Sequence, residues 1–186
     1  MRKLIIYFLF LINFDLICQD VIVPIDVQMS ILSKLIYMEK KLSKKIEDKK
    51  TINVLILYQN KNRQSLNEKN EILNHFSNSQ ENSFEFSDLI YNNDNLLSDY
   101  CRKNKPDIII VTSLRTADIK AIGEISGKNQ SLTFSVEPDN VEKGLSIGVE
   151  LVRDKPQILI NIEQIKNEGS IFSSHLLKIA KILEHR

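Results

Sequence analysis

Apolar residues recur along this chain with two different periods, and the alternation between those periods predicts the elements. Val27, Ile31, Leu35, Met38, Leu42 and Ile46 fall three or four residues apart, the spacing of one buried face of a helix. They predict a single long amphipathic helix, entered through an extended Val21 to Pro24 and capped by Asp26. Ile52 to Tyr58 reads INVLILY, a continuous β-favouring apolar run between polar flanks, which predicts a strand buried on both faces. A polar helix carrying Leu66, Ile72, Leu73 and Phe76 is expected next. A strand over Phe84 to Ile90, a helix over Leu96 to Lys103 and a strand over Asp107 to Thr112 follow. A helix over Ala117 to Ile125 leads through Gly127 to a strand over Leu132 to Val136. Two further strands, Leu145 to Val152 and Gln157 to Ile162, are predicted to pair as a hairpin across Arg153 to Pro156. Phe172, Leu176, Ile179, Ala180 and Leu183 form the stripe of a closing helix, its entry marked by Gly169 and Ser170.

Helices placed between nearly all-apolar strands force parallel pairing, because each crossover must return the chain to the same end of the sheet. The expected fold class is therefore α/β. A single three-layer doubly wound domain is predicted, its sheet mostly parallel, with a C-terminal hairpin and a closing helix. A chain of 186 residues with 42% hydrophobic content is enough for one core, and no linker composition suggests a second domain.

The first residues change the picture of where this domain works. Met1, Arg2 and Lys3 precede an apolar run from Leu4 to Phe14, the layout of an export signal. The run is shorter than the roughly 20 residues of a membrane-spanning helix. The expectation is a signal peptide over residues 1–18 and a mature domain over 20–186 in the periplasm. The alternative is a lipid anchor on Cys18, which lacks the small residue that usually precedes such a site. Removing Arg2, Lys3 and Asp15 from 25 basic and 24 acidic residues leaves 23 of each. A neutral chain with scattered charge argues against a nucleic-acid partner, and the lysines of Lys40 to Lys50 read as a solvated helix end. With Cys18 removed or lipidated, Cys101 is the one remaining cysteine, so no internal disulfide and no cysteine metal cage are expected.

Candidate chemistry is sparse. His75, His175 and His185 do not stand at metal-ligand spacing, and no metal or other cofactor is expected. His175 follows Ser173 and Ser174, but the pattern supplies no nucleophile elbow. Gln59, Asn60, Lys61, Asn62 and Arg63 stand where a dinucleotide fold would carry glycines, so an enzyme is not expected. Open α/β sheets bind ligands beyond the carboxyl ends of their strands, which here brings Tyr58, Asn60, Ser113, Arg115, Ser135 and Glu137 to one rim. Arg115 has the forked guanidinium that holds a carboxylate or phosphate, or, as a helix-start arginine, it pairs with Asp118 or with solvent.

The C-terminal third reads KGLSIGVELV, then PQILINI over Pro156 to Ile162, then FSSHLLKIA. In this order the segments resemble the YfiR (YfiR/HmsC-like) family of periplasmic regulatory proteins. In that family a glycine precedes a strand, a basic turn leads to a strand ending in Ile-Asn, and a Ser-Ser-x-Leu-Leu-x-x-Ala helix closes the domain. Gly144, Ile160, Asn161, Ser173, Ser174, Leu176, Leu177 and Ala180 match. Their chemistry reads as architecture: Leu176, Leu177 and Ala180 pack a helix, Asn161 satisfies backbone at a strand end, and Ser173 bonds a helical backbone group. The chain departs from the family in lacking a Trp-Pro element after the first helix, where Tyr37, Met38, Glu39 and Lys40 stand, and in lacking paired cysteines. It looks like a divergent member.

The resemblance implies a regulator that binds and represses the sensor portion of an inner-membrane signalling protein, a diguanylate cyclase or a sensor kinase, and so controls cyclic-di-GMP. The alternative expectation is a periplasmic receptor for a small molecule, feeding a transporter or sensor kinase through the rim around Ser113, Arg115 and Glu137. The long first helix, with Leu32 and Ile36 beside Ile31 and Leu35, is a candidate interaction or homodimer element, or the sheet simply covers its whole apolar stripe.

Overall fold

The computed structural model describes residues 23–78 and 83–184. The expected signal peptide, Cys18 and His185 lie outside them. The helices are α1 (Ile25–Met38), α2 (Lys40–Glu47), α3 (Arg63–Asn78), α4 (Asp94–Asn104), α5 (Ile119–Asn129), α6 (Asp139–Glu142), α7 (Ile162–Asn167) and α8 (Ser174–Ile179). The strands are β1 (Ile52–Tyr58), β2 (Phe84–Ile90), β3 (Ile108–Val111), β4 (Leu132–Ser135), β5 (Ile147–Val152), β6 (Lys155–Asn161) and β7 (Lys181–Leu183). They form one seven-stranded sheet in the order β2-β1-β3-β4-β5-β6-β7. The pairs from β2 to β5 are parallel, β6 is antiparallel to β5, and β7 is parallel to β6.

The two-residue period of a strand divides each apolar run between two cores. Val54, Ile56, Ile108 and Ile110 face a core completed by α1, by Leu42 of α2, by Ile72 and Phe76 of α3, and by Leu176 of α8. Leu55, Leu57, Ile109 and Val111 face the other, under Leu97 and Cys101 of α4 and Ile122 and Ile125 of α5. The result is the expected three-layer α/β sandwich. The edge strand β2 carries Glu85 and Asp88 exposed, which discourages pairing with another chain. Among the described residues no helix is long and apolar enough to cross a membrane.

The first expected helix is two. Glu39 adopts extended backbone, with φ −87° and ψ 126°, and bridges to Phe172. Its buried carboxylate accepts from Leu42 N at 2.7 Å, capping α2, and from Ile171 N at 2.8 Å. The apolar spacing ran through the break because Leu42 and Ile46 still pack on the same core. Nor does Asp26 cap the helix. Pro24 is the N-cap residue, without a side-chain bond, and Asp26 meets His75 Nδ1 at 2.6 Å. The closing helix is also shorter than its stripe. Ala180 turns extended, and Ile182 and Leu183 pair with Ile160 and Asn161 as β7. An open edge on β6 offers backbone bonds that one more helical turn does not.

The hairpin turn is tighter than expected. Val152 pairs with Lys155, and the two residues between them, Arg153 and Asp154, have φ of +50° and +61°. That is the signature of a type I′ loop, whose twist matches the strands but whose left-handed backbone suits Asn and Gly better than Arg. Close approach explains one glycine: a Cβ on Gly123 of α5 would lie 2.2 Å from Gly144 O.

One buried carboxylate joins four elements. Glu168, just past α7, accepts from Ser126 Oγ of α5 at 2.8 Å, from Thr133 N and Oγ1 of β4 at 3.1 and 2.8 Å, from Gln164 Nε2 of α7 at 2.9 Å, and from Ser146 Oγ at the entry to β5. Burial pushes its carboxyl above the usual range, against the opposing pull of those donors.

Two outcomes test these assignments. Replacing the turn by Arg153→Asn with Asp154→Gly raises the denaturation free energy by about 1–2 kcal/mol, measured by urea melts; unchanged stability contradicts the left-handed turn. Glu168→Ala orphans the hydroxyl, amide and backbone donors around it and lowers stability by about 3 kcal/mol. The raised carboxyl of the folded state adds stability that is full below the ordinary carboxyl value of 4.5 and is lost as pH rises through the raised one. Glu168→Gln therefore flattens the slope of melting temperature against pH above 4.5, and an unaltered slope rules out this assignment.

Candidate functional site

Strand order reverses at β1, whose neighbours are β2 on one side and β3 on the other. The crossover from β1 winds to one side and the crossover from β3 to the other, so the loops leaving these strands part and open a crevice at their carboxyl ends. A cleft of about 210 Å³ lies there, lined by Gln59, Asn60, Lys61, Asn62, Tyr91, Asn92, Arg115 and Thr116.

Its framework is tied by hydrogen bonds. The Gln59 amide pairs with the backbone of Arg115: Arg115 N donates to Oε1 at 2.8 Å, and Nε2 donates to Arg115 O at 2.9 Å. Asn62 Nδ2 donates to Ser113 O at 2.7 Å, and Tyr91 N donates to Tyr58 O at 2.7 Å. Beneath the loops, Glu68 of α3 accepts from Ser113 N and Ser113 Oγ, both at 2.6 Å, and from Gln64 Nε2 at 3.0 Å. Ser65 and Thr112 share a bond of 2.6 Å. The Tyr91 hydroxyl donates to Asp94 at 2.6 Å, and burial followed by that bond raises its pKa. Thr116, β-branched, has φ +57°, a left-handed position that few such residues adopt.

The six residues read from the sequence separate into two groups. Asn60 and Arg115 are exposed and line the cleft. Tyr58 and Ser113 are buried and do not line it. The Tyr58 ring has Lys69 Nζ 4.7 Å from its centre, and its hydroxyl is pushed up in pKa by burial and then by Asp88. Ser135 is fully buried and accepts from Asn140 Nδ2 at 3.1 Å. Glu137 follows β4 and does not line this cleft. Of the two alternatives read for Arg115, Asp118 or solvent, the side chain is exposed to solvent, while Asp118 caps α5 by accepting from Ala121 N at 3.1 Å. Gln59, Lys61, Asn62, Tyr91, Asn92 and Thr116 were not legible as ligand-facing residues, although all of them fall within four residues of the end of a predicted strand.

The residues that carry the YfiR resemblance do structural work away from this cleft. Asn161 caps α7, accepting from Gln164 N at 3.0 Å, and donates to Val141 O at 3.0 Å. Ser173 caps α8, accepting from Leu176 N at 3.4 Å. Ile160 and Leu176 are core, with Leu177 and Ala180 packed against it. Gly144, at φ +121°, makes the close approach to Gly123, and Ser174 is the exposed first residue of α8. Gly144 and Asn161 also edge a second, mixed-charge cleft of about 570 Å³ between α5, α6 and α7.

No protein-family model matches the chain, and no curated protein sequence matches it. Solved structures do. A ligand-free, open substrate-binding protein with adhesive properties from Clostridium difficile is 13% identical, with a TM-score of 0.64 over 88% of this chain and 61% of that one. An ABC domain from Streptococcus pneumonia in complex with L-Trp is 13% identical, with a TM-score of 0.59 over 86% of this chain and 60% of that one. A conserved domain protein from Vibrio cholerae O1 biovar El Tor is 8% identical, with a TM-score of 0.64 over 86% and 60%. The chain thus spans about 60% of the length of these structures, and at such identities the likeness establishes a shared α/β fold.

Proposed function

We propose that this chain is a small-molecule-binding domain, exported to the periplasm, that holds its ligand in the cleft at the carboxyl ends of β1 and β3. The observation that carries this reading is the division of labour at the reversal of strand order. Backbone groups and buried side chains of the loops bond one another, while Asn60, Lys61, Asn92 and the Arg115 guanidinium line the cleft with no partner among the described residues. A frame locked before the ligand arrives lowers the entropy lost on binding. Two of the similar folds support the reading, one being a substrate-binding protein and the other a domain in complex with L-Trp. In this reading the domain binds its ligand without transforming it and passes occupancy to a transporter or sensor kinase.

The test is a thermal-shift screen of the mature domain against amino acids, nucleosides, sugars and organic acids, followed by amide-resonance mapping of every hit. A true ligand at one hundred times its Kd stabilises the fold by about 2.7 kcal/mol and moves resonances of residues 59–62 and 115–116. Gln59→Ala, which unties the two loops, weakens binding about tenfold while leaving the fold intact. Hits whose shifts map elsewhere, or a Gln59→Ala variant that binds unchanged, rule the rim out.

A second reading, a regulator that represses an inner-membrane signalling protein, is favoured by one observation. Ile171, just before the FSSHLLKIA segment that resembles the YfiR family, and Ile179, the last residue of α8 within it, are 54% and 58% exposed. Crosslinking in intact cells should then capture a membrane cyclase or sensor kinase, and deletion should raise cyclic-di-GMP if the partner is a cyclase. Absence of any membrane partner together with unchanged cyclic-di-GMP rules it out.

A further inference from the structure

Resting on the rim reading above, we propose that the ligand of this cleft is a small oxyanion, a carboxylate or phosphate group, held between Lys61 and Arg115. The eight lining residues include two cations and no carboxylate. Both cations are exposed, and neither has a side-chain partner among the described residues. Three acids stand nearby, each bonded by neutral donors: Asp94 by the Tyr91 hydroxyl, Asp118 by Ala121 N and Glu68 by Ser113. Such bonds do not cancel an acid's charge, but none of the three lines the cleft or pairs with Lys61 or Arg115.

The two cations come from different loops lining the cleft, Lys61 from the loop after β1 and Arg115 from the loop after β3, and the Gln59 amide fixes the Arg115 backbone against the first loop. A guanidinium on a fixed base can form two parallel bonds to one oxyanion, and a lysine lining the same cleft adds a point charge. Asn60, Asn92 and Thr116 contribute amide and hydroxyl groups suited to the polar remainder of the ligand. The 16-residue α3 begins two residues after Lys61 with no acid in its first turn, so its positive end adds to the same field. At about 210 Å³ the cleft is smaller than the roughly 300–1,000 Å³ of drug-sized sites, which limits the ligand to a metabolite.

The experiment is calorimetric titration of the mature domain with succinate, glutarate and inorganic phosphate, set against succinamide and glutaramide as uncharged counterparts. Amide-resonance mapping accompanies each titration. At least one acid should bind tenfold or more tightly than its amide, with an affinity that falls as salt is added, and should move residues 59–62 and 115–116. Arg115→Ala should weaken it by roughly 10- to 100-fold and Lys61→Ala by roughly 3- to 10-fold, whereas Lys178→Ala, on exposed α8, leaves it unchanged. Phosphate binding without carboxylate binding identifies a phosphate ligand, and the converse identifies an acid. Equal affinity for acid and amide at the rim overturns the anion assignment while leaving the rim as a binding site. So does failure of all three acids beside a neutral hit that maps to residues 59–62. Rim resonances that no compound moves, here or in the broader screen, sink both proposals.

Discussion

Five adjacent strands of this sheet run parallel, and a parallel sheet joined by helical crossovers is covered on both faces. Water therefore cannot serve the polar groups at strand and helix ends in its interior, and each of them needs a partner from the protein. Three buried glutamates supply those partners. Glu39 gathers the amides of Leu42 and Ile171 where the first helix breaks, Glu68 gathers Ser113 beneath the rim, and Glu168 gathers donors from α5, β4, α7 and the entry to β5. Each of these side chains joins segments distant in sequence, so each is an orienting device as well as a satisfied hydrogen-bond acceptor.

The same constraint shapes the rim. Strands enclosed on both faces open to solvent only at their ends, and the reversal of order at β1 leaves a gap there that no crossover fills. The loops around the gap use backbone groups and short side chains to fix one another, through Gln59 to Arg115 and Asn62 to Ser113. Longer or exposed side chains, Lys61, Arg115, Asn60 and Asn92, remain uncommitted among the described residues. Rigid backbone with unengaged polar tips is the arrangement from which a selective site is made.

How far the sequence could be read varies with the range of the forces involved. The strands Ile52–Tyr58 and Phe84–Ile90 were legible to the residue, the first because an apolar run between polar flanks has few other uses. The continuous helix from Val27 to Ile46 was not, since what breaks it is Glu39 meeting a segment 132 residues away. The final strand was missed for the same reason: Ile182 and Leu183 satisfy a helical stripe as well as they satisfy the edge of β6. At the rim, Asn60 and Arg115 were identified by position alone. Ser113 and Ser135 occupy equally good positions, yet they are buried by Glu68 and Asn140, partners with no local sequence signature.

The sequence by itself determined the alternation of strand and helix, and with it the parallel sheet, the two cores and the end of the sheet at which a ligand can sit. Those follow from local periodicity and from the geometric demand that each crossover return the chain to the same side. Only the tertiary structure decided where helices stop, which rim side chains are spent on the frame and which stay free, and where Glu168 finds its donors. Hydrogen bonds between distant segments decide those matters, and their energies depend on burial that no window of sequence contains.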